Sequence, residues 1–97
     1  MAKLSEQEQS EALSGLAGWS FDEASSAIAK SFRFADFSAA FAFMTRVALA
    51  AEKADHHPNW SNVWNRVDIA LTTHSEDALT AKDIALAREI EAILESD

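Results

Sequence analysis

The chain has 97 residues, of which 48% are hydrophobic, a length and composition that fit one domain over residues 1–97 and argue against disorder. Its formal charge is −8, with 8 basic residues spread singly, so phosphate backbones are repelled rather than gathered and direct nucleic-acid binding is disfavoured. Cysteine is absent, which excludes disulfides, thiolate metal sites and cysteine nucleophiles.

The opening MAKLSEQEQS is polar and has no apolar signal core, and no run approaches the roughly 20 apolar residues of a membrane span. A cytoplasmic protein is the expectation. Ser5 and Glu8 have capping-box spacing, in which a hydroxyl and a carboxylate three residues apart satisfy two orphan amides. Ala12, Leu13 and Leu16 give the following helix an apolar side, and Gly15 and Gly18 mark its end. Trp19-Ser20-Phe21 alternates as a short strand, and Asp22-Glu23 reads as a turn. From Ala27 to Phe34 the chain alternates again. Ile28, Phe32 and Phe34 share a side with Lys30, opposite Ala29, Ser31 and Arg33.

Asp36 caps a helix expected to run to Ala54. Phe37, Phe41, Met44, Ala48 and Ala51 form one stripe along it, and Ala40, Phe43, Val47 and Ala50 form another on the opposite side. A helix that is apolar on two sides is covered on both. One stripe is expected to pack on the sheet and the other to meet a second subunit. Small domains bury a modest share of their surface, so self-association also supplies core.

Pro58 ends this segment and pushes His57 toward extended backbone. Trp60 to Trp64 reads as a strand and Asn65-Arg66 as a turn. Val67, Ile69, Leu71 and Thr73 then alternate with Asp68, Ala70, Thr72 and His74. Thr80 and Asp83 repeat the capping-box spacing before a last helix ending near Glu95. The order is helix, two strands, helix, two strands, helix. Each strand pair is too tightly connected for a helical crossover, so an α+β fold is expected: a four-stranded antiparallel sheet with three helices on one face.

The three histidines stand at the ends of regular elements. Histidine exchanges protons near neutral pH. His56 and His57 are adjacent and point apart in extended backbone, so they perform different tasks. His74 ends the last strand. Glu52 and Asp55 lie where they can orient an imidazole. The competing reading is two solvated loop histidines and one strand end. Zinc is a weaker competitor, because neighbouring histidines rarely chelate one ion and no HExxH spacing occurs. No serine stands in a nucleophile elbow. Trp19, Trp60 and Trp64 either wall a pocket for a flat heterocycle or pack on the sheet.

The run Glu52-Lys53-Ala54-Asp55-His56-His57-Pro58-Asn59-Trp60, followed by Asn62-Val63-Trp64-Asn65, by Val67, Ile69, Leu71, Thr73 and His74, and by Leu79-Thr80 and Asp83, resembles the signature of the pterin-4a-carbinolamine dehydratases. The likeness extends from about Leu13 to Ala92. It implies the same α-β-β-α-β-β-α fold, with association through the central helix 36–54 and the sheet edges into a homodimer or homotetramer. It implies a hydro-lyase that removes water from 4a-hydroxytetrahydrobiopterin to give the quinonoid dihydropterin. Such an enzyme uses no metal or organic cofactor and serves an aromatic amino-acid hydroxylase.

By the same resemblance His56 and His74 are the proton-transfer pair and His57 positions the pterin. Glu52 and Asp55 orient imidazoles or hold the pterin's polar edge. Pro58, Trp19 and Asp83 complete the substrate site, with Asp83 near His74. Trp64 stands where the family often has Tyr, and Ala78 where it often has Gly, which puts loop geometry in question more than activity. A protein-interaction module that stabilises a partner's dimer, and another pterin-linked duty such as molybdopterin handling, are the alternatives.

Overall fold

Strand alternation and helix caps together set the architecture. The computed structural model describes residues 2–96. Its elements are α1 (Glu6–Ser14), β1 (Ser20–Asp22), β2 (Ala27–Arg33), α2 (Phe37–Ala54), β3 (Asn59–Val63), β4 (Arg66–Leu71), a 3-10 turn (His74–Glu76) and α3 (Ala81–Glu95). The strands form one antiparallel sheet in the order β1-β2-β4-β3. The expected α+β fold is therefore the observed one.

Register follows from the period-2 pattern, because a slip by one residue would turn every apolar side chain to the wrong face. Ile28 pairs with Leu71, Lys30 with Ile69 and Phe32 with Val67. Ile28, Phe32, Val67, Ile69 and Leu71 are all buried in the core against the helices. On the opposite face Ser31 pairs with Asp68, and the Ser31 hydroxyl donates to that carboxylate.

One stripe of α2 faces inward, but it takes Ala51 from the stripe expected on the opposite side. Ala40, Phe43, Val47 and Ala51 of α2 are buried, and the Phe43 ring packs 5.0 Å from Phe32 and 4.9 Å from Phe34. Burying a phenyl ring of this kind contributes about 2–3 kcal/mol. The inward stripe thus closes on Ala51, one residue beyond the expected Ala50, which is only half-buried. Phe37 and Phe41 remain 51% and 55% exposed, and their rings pack against each other at 5.8 Å.

Lys30 sits on the covered face of β2. Its Nζ donates to the Ala17 carbonyl (2.9 Å) and to Glu91 (2.8 Å), and it lies 5.1 Å from the Phe32 ring centroid. This route passes over Gly18, whose φ is +85°. The positive φ favours glycine, and a Cβ there would also stand 2.9 Å from Lys30 Cε, so the lysine would have to shift from its bonded position.

Two boundaries differ from the sequence reading. The β3–β4 turn is Trp64-Asn65, one residue earlier than Asn65-Arg66, and Arg66 already pairs with Val63. A two-residue hairpin needs left-handed backbone, and Trp64 adopts it with φ 50°. Asn65 secures the turn by donating its side-chain amide to the Phe34 carbonyl at 2.9 Å. β4 ends at Leu71, and His74 begins the 3-10 turn rather than closing the strand. Among the described residues no helix is long and apolar enough to cross a membrane.

Candidate functional site

The end of α2 sets the first histidine. Asp55 adopts the left-handed conformation (φ 52°) just past the last helical residue, and its amide bonds to Ala51 and Glu52 carbonyls. The His56 amide closes on the Ala51 carbonyl at 3.1 Å. This is the Schellman arrangement, usually made by glycine. It ends the helix, turns the chain and fixes the His56 backbone. Pro58 then prevents any continuation.

His56 points inward. Its Nε2 lies 2.6 Å from Asp83 Oδ1, and the Asp83 side chain has no solvent exposure. Asp83 Oδ2 accepts the Thr73 hydroxyl at 2.8 Å and the Thr80 amide at 2.9 Å. Because the Thr73 proton goes to Asp83, the Thr80 hydroxyl donates to Thr73 Oγ1, 2.8 Å away. The carboxylate also sits at the first turn of α3, where the helix dipole favours negative charge. No buried side-chain nitrogen or oxygen among the described residues lacks a partner. Asp83 therefore acts both as helix cap and as imidazole anchor.

A carboxylate can only accept, so Nε2 of His56 carries a proton and the neutral ring keeps Nδ1 as its basic nitrogen. His57 is the outward member of the pair, with Nε2 2.9 Å from Glu52 Oε1. Both of these groups are more than half exposed. The two adjacent imidazoles thus point to different partners, as their extended backbone leads one to expect.

His74 arrives from the other side. Thr73 and Ala78 bond to each other through both amides, at 3.1 and 3.5 Å, and close a tight loop. The loop presents His74 to solvent, and Asp77 in left-handed backbone (φ 49°) turns it back. Because Thr73 is held by Asp83, one carboxylate fixes His56 directly and the base of the His74 loop through a hydroxyl.

His56, His57 and His74 line a single hollow of about 250 Å³ together with Asp55, Thr73 and Lys82. Glu52 stands behind His57, and Pro58 follows the pair half-buried. Asp83 bonds to His56 rather than to His74. Trp19 is not among the residues around the hollow. It is buried against Phe32, with ring centroids 6.0 Å apart, and donates from its indole to Glu91 at 2.9 Å. Trp64 is exposed at the far hairpin. Thr73, Thr80 and Lys82 are not among the site residues expected from the sequence, although Thr73 adjoins His74 and Thr80 stands three residues before Asp83. Among the described residues no group of three or more His, Cys, Asp or Glu side chains is placed to hold a metal ion.

A family described as pterin 4 alpha carbinolamine dehydratase matches residues 2–93. The chain belongs to this family. It is 60% identical over 92 residues to a Rhizorhabdus wittichii protein named "Putative pterin-4-alpha-carbinolamine dehydratase", with 95% of each chain covered. A Brucella ovis protein of the same name is 53% identical over 91 residues, covering 94% of each. Among solved structures, one described as a transcriptional coactivator/pterin dehydratase from Brucella melitensis superposes with a TM-score of 0.91 at 52% identity, covering 95% of this chain and 98% of the other. A pterin dehydratase-like protein described as a RuBisCO assembly factor in the alpha-carboxysome shares the fold, with a TM-score of 0.68 at 22% identity over 78% of this chain and 88% of the other.

Proposed function

We propose that this chain dehydrates 4a-hydroxytetrahydrobiopterin to quinonoid dihydropterin and water, by histidine general acid–base catalysis. The observation that supports this reading is the shared hollow, lined by histidines from the end of α2 and from the loop after β4. The membership of the family supports the substrate class.

The chemistry needs two proton movements. The hydroxyl at C4a leaves as water once a proton reaches its oxygen. A ring nitrogen must also give up its proton as the new double bond forms. His74, exposed at the mouth, is the acid that protonates the leaving oxygen. His56 is the base, because Asp83 holds its Nε2–H and leaves Nδ1 to accept. The buried carboxylate stabilises the imidazolium that results, much as a catalytic aspartate supports the neighbouring histidine in a Ser-His-Asp triad. His57, braced by Glu52, and Asp55 hold the polar edge of the pterin. Positioned acid and base groups of this kind each contribute about 10²–10⁴-fold. No metal or organic cofactor enters this mechanism.

Residues 1–97 serve as one catalytic domain in the cytoplasm, within tetrahydrobiopterin recycling for an aromatic amino-acid hydroxylase. The exposed Phe37, Phe41 and Leu49 of α2 support self-association through that helix. They are also the feature that favours a second reading, in which the same face stabilises another protein's dimer. The test of the primary reading is stopped-flow absorbance of chemically generated 4a-hydroxytetrahydrobiopterin. Catalytic amounts of the protein accelerate its decay well above the buffer rate; decay at the buffer rate overturns the proposal.

A further inference from the structure

Asp83 accepts the Thr80 amide at 2.9 Å, and the carbonyl of the same peptide unit, that of Leu79, accepts the Leu4 amide at 2.9 Å. One peptide is therefore bonded on both sides. It points inward to the carboxylate that anchors His56 and outward to the N-terminal arm. We propose that Leu4 is a positioning residue for the histidine site, acting through the Leu79–Thr80 peptide and Asp83. The proposal rests on the dehydratase reading and adds to it a residue that lies outside the histidine hollow.

Two features of the arm suit it to this role. Ser5 and Glu8 cap α1 reciprocally, which fixes the backbone directly after Leu4. An apolar residue just before the cap ordinarily staples itself to the fourth residue of its own helix. Here that fourth residue is Gln9, and Leu4 packs on the domain core instead. The side chain thus pins the arm to the domain, and the amide beside it reaches a single carbonyl.

His74 depends on this support more than its neighbours do. His56 is held by Asp83 and His57 by Glu52. The His74 side chain makes no hydrogen bond among the described residues, so its backbone alone places it. The paired amides of Thr73 and Ala78 close the base of its loop, and Leu79 is the next residue along. A Leu79–Thr80 peptide without the Leu4 bond is free to rotate its amide away from Asp83, and the base of the loop then loses a restraint. The Leu4 amide opposes that rotation. By polarising the peptide it also strengthens the Thr80 amide as a donor to the carboxylate.

The test is dehydration of 4a-hydroxytetrahydrobiopterin by the full chain, read together with amide hydrogen exchange by NMR. Leu4→Pro removes the amide proton and keeps an apolar side chain. It should lower kcat about 3–10-fold, with KM within about two-fold of wild type. Leu4→Met keeps both the amide and the bulk and should stay within about two-fold in kcat. In an Asp83→Ala background, with folding verified by circular dichroism, Leu4→Pro should cost no more than about a further two-fold, because the group it acts through is gone. The Thr80 amide should exchange faster in Leu4→Pro, while the Val67 amide in the sheet does not. An equal loss in both backgrounds, or an unmoved Thr80 amide, overturns the positioning role and leaves the dehydratase reading standing. Should Leu4→Pro fail to fold, wild-type exchange decides: a Leu4 amide about ten-fold or more slower than that of Lys3 supports the role, and equal rates overturn it. Wild-type decay of the substrate at the buffer rate overturns both readings.

Discussion

Asp83 Oδ1 lies 2.6 Å from Nε2 of His56, although 27 residues separate them. The other oxygen of the same carboxylate holds the Thr73 hydroxyl, one residue before His74. Histidines from distant parts of the chain are thereby referred to one buried anchor.

Removing that anchor separates its structural and chemical roles. Asp83→Ala leaves His56, Thr73 and the Thr80 amide without their acceptor, and should cost about 3 kcal/mol in urea denaturation. Asp83→Asn keeps the shape and can still accept from Thr73 and Thr80. Its amide then faces His56 as a donor, which moves the ring proton to Nδ1 and removes the base. Dehydration should fall about 10²–10⁴-fold with a smaller loss of stability. Equal activity in Asp83→Asn and wild type contradicts the assigned tautomer.

Gly18→Ala should destabilise the protein by about 1–2 kcal/mol, since the new methyl meets Lys30 Cε at 2.9 Å in left-handed backbone. Gly15→Ala is the control. Its nearest neighbour would be 3.7 Å away, and its stability should stay within about 0.5 kcal/mol of wild type. Thermal unfolding of both variants checks the contrast.

Much of this was readable in the chain, and the failures have physical causes. Ser5-Glu8 and Thr80-Asp83 are local patterns, and both capping boxes form as read. The alternation around Val67 and Ile69 fixed the face and the register of β4. The His56–Asp83 bond was not legible, because capping already accounted for Asp83 and only tertiary packing brings His56 to it. The turn at Trp64-Asn65 was misread by one residue because a tryptophan in left-handed backbone violates local preference. The exposed stripe of α2 could not be told from the buried one by spacing, since both are apolar and only contact with Phe32 and Phe34 distinguishes them.

Phe41→Asp probes that exposed stripe. The side chain is 55% exposed, so the fold should tolerate the charge at a cost within about 0.5 kcal/mol. Light scattering after size-exclusion chromatography should show a smaller assembly than wild type. An unchanged mass counts against α2 as the association surface.

Glu8 gives the pH dependence a sign. The Ser5 amide, and then the Ser5 hydroxyl, hold the Glu8 carboxyl below its ordinary range. The folded state therefore binds this proton less readily than the unfolded one. The capping contribution is complete above the unfolded value and is lost as pH falls through the lower folded value. Carbon-detected NMR titration should place the Glu8 midpoint below that of an unstructured glutamate, and Ser5→Ala should move it upward. A midpoint indifferent to Ser5→Ala rules out the hydroxyl as a cause.

The most direct test is single-turnover dehydration of 4a-hydroxytetrahydrobiopterin by His56→Ala, by His74→Ala and by the double variant, with folding verified by circular dichroism. Each single change should slow the reaction about 10²–10⁴-fold, and the double variant should approach the buffer rate. Wild-type rates in the folded double variant would contradict acid–base catalysis by these two imidazoles.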